Sequence, residues 1–305
     1  MKERFLFGFV ACLVSSLGGA QEISGAEEKF NKYYAEVRRI DGSEASAAAR
    51  EVSRLYEAFY PAVSRAEGMV SASPEALHFL IRAAGAKNFY THDAHSVSVI
   101  RSALKALESI GKSDRGDWDV YFRSLILTRD FEEARRAQAG RNDWLPAVPF
   151  IEREQEPAPG EAIVWRVDTA SNTLVREGAG LSTGFHLVVV SHPACKFSRA
   201  AMHAFERDPA LQGLPATWIV PPQRDLDFDL VGDWNSMHPT IPLVLTDKVS
   251  QWNFEYWSTP TFYVLKDGEP IRHRAGWALD GSDRSTMIEF MAEESEPSRQ
   301  STARH

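Results

Sequence analysis

Apolar side chains in the first half of the chain recur at helical spacing. In residues 96–110, for example, Val97, Ile100 and Leu104 fall on one face of a helix, and Gly111 supplies a stop signal. The same spacing recurs in neighbouring segments, which predicts helices over residues 27–39, 43–60, 73–84, 96–110, 118–127 and 130–138. Residues 21–140 are therefore predicted to form an all-α domain.

The second half of the chain changes to short apolar runs bounded by turn residues, a pattern typical of β-strands. The pattern predicts strands over residues 163–167, 173–176, 187–190, 216–220, 261–265 and 271–275. Helical spacing returns after Cys195 and over residues 285–292, and residues 225–234 are ambiguous. Residues 161–293 are therefore predicted to form an α/β domain with a central mixed sheet flanked by helices.

One further segment separates the two predicted domains, and another follows the second domain. Residues 141–160 hold four prolines and a charged run, which predicts an extended linker. Residues 294–305 are polar and predict a disordered tail. Residues 235–258, rich in tryptophan and tyrosine, are interpreted as an insertion leading back to the sheet.

The last two predicted helices of the first half resemble a tetratricopeptide helix hairpin. The likeness rests on Tyr121, Leu125, Phe131 and Ala134. A clean period of about 34 residues is missing from the sequence. A packed helical domain and a peptide-binding repeat domain both stay open as interpretations.

Composition and charge restrict the classes of partner. The 305 residues are 44% apolar and 25% charged, which is typical of a globular protein. The formal net charge is −8 and the sequence has no dense basic patch. Nucleic acid and anionic membrane surfaces are therefore not expected as main partners.

The first twenty residues predict an exported protein. A weakly basic start, an apolar run over residues 5–17 and small residues before Gln21 match a secretory signal peptide cleaved after Ala20. The apolar run is short for a membrane span, although an N-terminal membrane anchor is the alternative. We expect a periplasmic or secreted protein that is not an integral membrane protein after cleavage.

Cysteine usage directs attention to one side chain. The chain has two cysteines, and Cys12 would leave with the signal peptide. Cys195 would then be a single thiol in a compartment where disulfides form, either buried or retained for its reactivity. It follows the predicted strand 187–190 and opens a predicted helix. Free backbone N–H groups and the helix dipole at that position favour a thiolate.

A possible metal motif occurs in the helical half. His92, Asp93 and His95 could act as ligands, but no further ligand cluster at suitable spacing accompanies them. A capped loop between helices is the interpretation adopted. Neither a metal site nor a cofactor is predicted.

Taken in order, the features of residues 161–293 resemble the thioredoxin superfamily. The resemblance rests on the strand before Cys195, the helix after it, the Ser-Thr-Pro-Thr-Phe-Tyr run over residues 258–263 and the Lys-Asp-Gly turn over residues 266–268. In that family a Cys-x-x-Cys motif opens a helix and faces a loop with a cis proline. The corresponding segments here are Cys195 to Ser198 and Thr259-Pro260. The resemblance implies a cis Thr259–Pro260 bond, beside which an extended substrate would pair.

The chain departs from the family pattern at three positions. Ser198 replaces the second cysteine, so no disulfide can form within the motif. Val189 stands where the family has a buried acidic residue. His192 lies three residues before Cys195, where a cation could favour the thiolate. An alternative register makes His192 the first motif position and Cys195 the second.

The resemblance implies thiol–disulfide exchange through Cys195 on protein substrates. Ser198 and His192 would tune the thiol, and Thr259 and Pro260 would shape the substrate groove. Without a second cysteine, release needs a substrate thiol or an external thiol reductant, as in an isomerase or a monothiol reductase.

Two other functions stay open for the same residues. One is a non-catalytic binding module, with the helical domain as scaffold and Cys195 as a small core residue. The other is peroxide reduction by a single cysteine, in which the family would have threonine at the position of His192.

Overall fold

A computed structural model describes residues 25–40, 45–61, 72–154, 157–168, 170–212, 216–223 and 225–292. The predicted signal peptide (residues 1–20) and the predicted tail (residues 294–305) lie outside the described residues. Among the described residues, no helix combines the length and the apolar character needed to cross a membrane.

Helices make up the first half of the described chain. They are α1 (Gly25–Val37), α2 (Ala45–Phe59), α3 (Pro74–Thr91), α4 (Ala94–Ser109), α5 (Arg115–Leu127) and α6 (Phe131–Gln138). Ser73, Asp93, Asp114 and Asp130 cap α3 to α6, each accepting a hydrogen bond from a backbone N–H three residues further on. The likeness of α5 and α6 to a tetratricopeptide hairpin stays a prediction.

Helix α3 lies at the centre of this helical layer, against α1, α2, α4 and α5. Its buried residues include Leu80, Ile81, Ala83 and Ala84. The alanines let neighbouring helices approach closely, and the larger side chains fill the space beside them. The sequence predicts that α3 ends at Ala84, but the helix continues through Gly85 to Thr91.

The second half of the described chain forms one eight-stranded sheet. Its strands are β1 (Phe150–Glu154), β2 (Ile163–Asp168), β3 (Thr173–Gly178), β4 (Phe185–Val190), β5 (Ala216–Val220), β6 (Leu243–Thr246), β7 (Thr261–Lys266) and β8 (Glu269–Ala275). The strand order is β1-β3-β2-β6-β5-β4-β7-β8. Strands β6, β5 and β4 run parallel to one another, whereas β7 is antiparallel to β4 and to β8.

Four helices of the described chain follow the strands of the sheet. They are α7 (Lys196–Arg207), α8 (Pro209–Gln212), α9 (Phe228–Met237) and α10 (Asp283–Ala292). With the helical layer before it, this arrangement confirms the predicted fold class, a mixed sheet flanked by helices and preceded by an all-α region.

Strand β4 is buried on both faces of the sheet. Leu187 and Val189 pack into the larger hydrophobic core, and Val188 and Val190 pack into a second cluster on the other face. A strand with both faces covered needs apolar side chains at successive positions. This explains why the sequence there is a continuous apolar run and not an alternating one.

Two strands occur where the sequence predicts none. Strand β1 lies inside the predicted linker 141–160 and pairs in parallel with β3. Strand β6 lies within residues 235–258, for which the sequence predicts an insertion, and it pairs with β2 on one side and β5 on the other. The ambiguous segment 225–234 is helical from Phe228 onward.

Arg129 connects the helical layer to the sheet. It lies between α5 and α6 with a positive φ of 61°, and its side chain is 4% exposed. Its Nε donates a hydrogen bond to the carbonyl oxygen of Thr246 at 2.8 Å. Burial lowers the pKa of the guanidinium, and the nearby Asp247 carboxylate opposes this. Phe131, two residues on, packs edge-to-face against Trp165 of β2 at 5.1 Å.

We expect Arg129→Ala to lower the free energy of unfolding by on the order of 2–3 kcal/mol, because it leaves the buried carbonyl of Thr246 without its donor. Urea denaturation followed by circular dichroism measures this change. Arg136→Ala is the control, since Arg136 forms exposed ion pairs on α6 and should change stability by less than about 1 kcal/mol. Equal effects of the two substitutions would contradict the prediction.

Candidate functional site

Cys195 occupies the N-cap position of α7 and is partly exposed. A tight turn after β4 brings it there, closed by a hydrogen bond from the Cys195 N–H to the carbonyl oxygen of His192 at 3.0 Å. The Cys195 carbonyl in turn accepts a hydrogen bond from the N–H of Arg199 at 2.9 Å, in the first turn of the helix. The sulfur therefore lies beside free N–H groups at the positive end of α7.

The loop before β7 faces this cysteine. The peptide bond between Thr259 and Pro260 is cis, and Pro260 is buried. The Sγ atom of Cys195 lies 3.3 Å from the carbonyl oxygen of Thr259. Strand pairing explains the contact, because Val190 at the end of β4 is in register with Thr261 at the start of β7. Residues 64 positions apart in sequence are thus brought into contact.

Opposing effects act on the Cys195 thiol. Burial raises its pKa, but hydrogen bonds from the backbone of Ser198, the side chains of Thr259 and Ser198, and the backbone of Phe197 lower it. The carbonyl oxygen of Thr259 accepts from the thiol and favours the protonated form. The combined result is a pKa below the ordinary cysteine value.

Ser198 lies one turn along α7 from Cys195 and is fully buried. Its Oγ accepts a hydrogen bond from the backbone N–H of His192 at 3.3 Å. The hydroxyl hydrogen is free to point toward the sulfur, in line with the effect of the Ser198 side chain on the thiol pKa. Ser198 therefore supports the turn with its oxygen, and its side chain contributes to the lowered pKa of the Cys195 thiol.

His192 is half-buried at the start of the turn. Burial lowers the pKa of its imidazole, and the carboxylate of Asp227 opposes this only in part. Its Nδ1 atom accepts a hydrogen bond from the N–H of Ala194 at 3.1 Å. The ring shapes the turn through this hydrogen bond. The lowered pKa of His192 works against the cationic effect that the sequence suggests, and the influence of His192 on the thiol stays a prediction.

Two residues contribute to the site although the sequence predicts a role for neither of them. Arg199 donates from Nη1 to the carbonyl oxygens of Pro193 and Ala194, at 3.0 and 3.1 Å, and so holds the turn against the helix. Asp227, the N-cap of α9, is the acidic group that acts on His192. Arg199 follows the motif directly, so its position was a usable signal, whereas the position of Asp227 depends on the fold.

No protein-family model matches the chain, and no curated protein matches it. A solved structure described as the solution structure of a thioredoxin-like protein in the oxidized form is 19% identical to this chain. The match covers 48% of this chain and 97% of that protein, with a TM-score of 0.32.

The fold class of the second half of the described chain follows from its strand and helix topology. Strand β4, helix α7 and strand β5 form a parallel unit, followed by the antiparallel β7–β8 hairpin and α10. The cysteine opens the helix of the first unit, and a cis proline precedes the hairpin. This is a thioredoxin-like α/β fold.

We expect the Cys195 thiol to titrate below the value of about 8.5 for a free cysteine. Alkylation rates measured across pH, read by mass spectrometry on the peptide ending at Lys196, give this pKa. Ser198→Ala should raise it by up to about one unit, because one hydrogen bond to the thiolate is lost. Ser282→Ala, at an exposed position away from the site, is the control. A titration at 8.5 or above would contradict the prediction.

Proposed function

We propose that this chain carries out monothiol thiol–disulfide exchange on exported protein substrates, with Cys195 as nucleophile. The observation that carries the proposal is the half-exposed Cys195 sulfur at the start of α7, with its pKa lowered by surrounding donors and the Thr259 carbonyl 3.3 Å away. A thiolate is the reactive form in disulfide exchange, so a lowered pKa raises its population at neutral pH. The proposal includes the exported location predicted from residues 1–20.

The proposed reaction passes through a mixed disulfide between Cys195 and the substrate. The Cys195 thiolate attacks one sulfur of a substrate disulfide, an S–S bond forms between enzyme and substrate, and the second substrate sulfur leaves as a thiolate. In the isomerase branch, a thiol of the substrate attacks the substrate sulfur of the mixed disulfide and displaces Cys195 as a thiolate, so that the substrate disulfide is rearranged. In the reductase branch, an external thiol attacks the Cys195 sulfur and the substrate leaves as a dithiol. A second external thiol then displaces Cys195, and the two external thiols end as one disulfide.

The residues around Cys195 support the need for a second thiol from the substrate or from an external reductant. Ser198 occupies the position one helical turn from Cys195, where a second cysteine would otherwise attack the mixed disulfide. Val189 is buried and apolar, so it cannot accept or deliver a proton. Cys195 is also the single cysteine among the described residues. The mixed disulfide is therefore long-lived unless another molecule resolves it.

The substrate-binding part of the proposal rests on the loop before β7. Thr259 is half-buried, and its backbone lies beside the Cys195 sulfur that would attack the substrate. An extended substrate segment can pair with such a backbone through main-chain hydrogen bonds, which require no particular side chain. This suits a site that acts on disulfides in proteins of different sequence.

We expect the protein to form a covalent adduct with a peptide that carries one internal disulfide. Intact-mass spectrometry should detect a one-to-one adduct that a reductant releases, and peptide mapping should locate it at Cys195. Cys195→Ser should form no such adduct. A protein that forms no adduct, or one whose adduct maps to a residue other than Cys195, would favour the non-catalytic binding module.

Ser198→Cys should shorten the lifetime of that adduct by at least about tenfold, because a second thiol on the same helix attacks at high effective concentration. The measurement is the decay of the adduct after removal of free peptide. Ser198→Ala is the matched control, since it also removes the hydroxyl but supplies no thiol. Equal lifetimes for the two variants would show that residue 198 does not occupy the resolving position.

A further inference from the structure

Three potential ligands meet at the end of α7 that is distant from Cys195. His203 and Glu206 are three residues apart on this helix and so share one face. His238, the C-cap residue of α9, approaches them from a separate part of the chain. One nitrogen from each histidine and one carboxylate oxygen all lie within 4.8 Å of one another.

The distances show that the carboxylate is central to this group. Nδ1 of His238 lies 2.9 Å from each oxygen of Glu206, so a proton is shared between them. Nδ1 of His203 lies 3.7 Å from Oε2 of Glu206, beyond hydrogen-bond length. A metal cation bound between the three atoms would replace the proton between His238 and Glu206, and Nδ1 of His203 would coordinate it as well.

The Nδ1 atom of His203 is the unexplained feature of the cluster. It is buried and has no hydrogen-bond partner among the described residues. A buried polar atom without a partner costs free energy, so such atoms are usually paired in native proteins. A metal ion accepts its lone pair and removes this cost.

Neighbouring aromatic packing fixes the rings in place. The indole of Trp234 stacks on His238 with 4.0 Å between ring centroids, and it contacts the ring of His203 at 5.6 Å. The indole N–H of Trp234 donates to the carbonyl of Ile241, which holds the indole itself. Ligands that are oriented before binding lose less conformational entropy when the ion arrives.

A second candidate group, in the helical layer, is explained without a metal. It consists of His78, Asp114 and Asp117. Both aspartates are engaged in the capping box of α5, where each accepts a hydrogen bond from the backbone of the other. His78 is hydrogen-bonded to Asp117 at 2.9 Å. This group therefore has its partners already.

We propose that His203, Glu206 and His238 form a binding site for a divalent first-row transition metal ion of the Zn²⁺ type. Two imidazoles and one carboxylate favour such ions over Mg²⁺ and Ca²⁺, which prefer oxygen ligands throughout.

The proposed site is separate from the thiol and does not depend on the proposed exchange reaction. His203 lies eight residues after Cys195, or about 12 Å along the helix axis at 1.5 Å per residue. The ion would join α7 to the end of α9. Its expected effect is therefore on the stability of the fold, through binding to the native state only.

The test uses the full chain with Cys12→Ser and Cys195→Ser, so that no thiolate competes for the ion. Isothermal titration with ZnCl₂ at neutral pH should give about one ion per chain, and Zn²⁺ should raise the melting temperature. His203→Gln should weaken binding by more than the 10- to 100-fold typical of residues that only orient a ligand. His203→Gln should also abolish the rise in melting temperature.

Two further variants separate ligand loss from loss of the fold. Glu206→Gln retains a hydrogen-bond acceptor for His238 but removes the negative charge, so it should fold and bind weakly. His95→Gln, at an exposed position on α4, should bind as the parent does. Absorption of the Co²⁺ form should report nitrogen and oxygen ligation in the parent and disappear in His203→Gln. A parent that binds no Zn²⁺, or a His203→Gln variant that binds equally well, would overturn the proposal.

Discussion

The burial of β4 on both faces is the constraint on which the site depends. Its side chains alternate between two hydrophobic clusters, so a slip of one residue in its register would exchange every side chain between them. The same register aligns Val190 with Thr261. The segment that leads from β4 to Cys195 therefore meets the segment that leads from Thr259 into β7. They meet where β4 ends and β7 begins. The 3.3 Å contact between sulfur and carbonyl follows from core packing.

Local patterns predict most of this fold, and the exceptions share a cause. Strands β4, β5 and β7 are continuous apolar runs, and their ends were marked by proline, glycine or charged turns. Strand β6 has only four residues, too few for a period, and becomes a strand because β2 and β5 pair with it. Helix α3 continues through Gly85. A Cβ atom at this position would lie 2.5 Å from Cγ1 of Val120, so the glycine allows close helix packing and does not end the helix. Tertiary contacts decide both cases.

Some features of the candidate site likewise follow from local sequence, and others depend on tertiary contacts. That Cys195 opens a helix follows from the strand before it and the apolar spacing after it, so the sequence alone predicts its position. The contact with Thr259 came from the resemblance to a family. The state of His192 could not be predicted, because its charge depends on burial and on Asp227, which lies on a different helix. A histidine near a thiol in sequence indicates positive charge only if its ring stays hydrated.

The proposed metal cluster extends this reasoning to the other end of α7. A His-x-x-Glu spacing is common on amphipathic helices and carries little information alone, which explains why no metal site was predicted. The third ligand, His238, is distant in sequence and reaches the cluster because α9 packs beside β6. Helix α7 then has the Cys195 thiol at one end, the proposed metal ligands at the other, and a buried face between them, formed by Ser198, Ala201, Met202 and Phe205. Since that face fixes the helix against the sheet, an ion at the far end would stabilise the same placement that holds Cys195 beside Thr259.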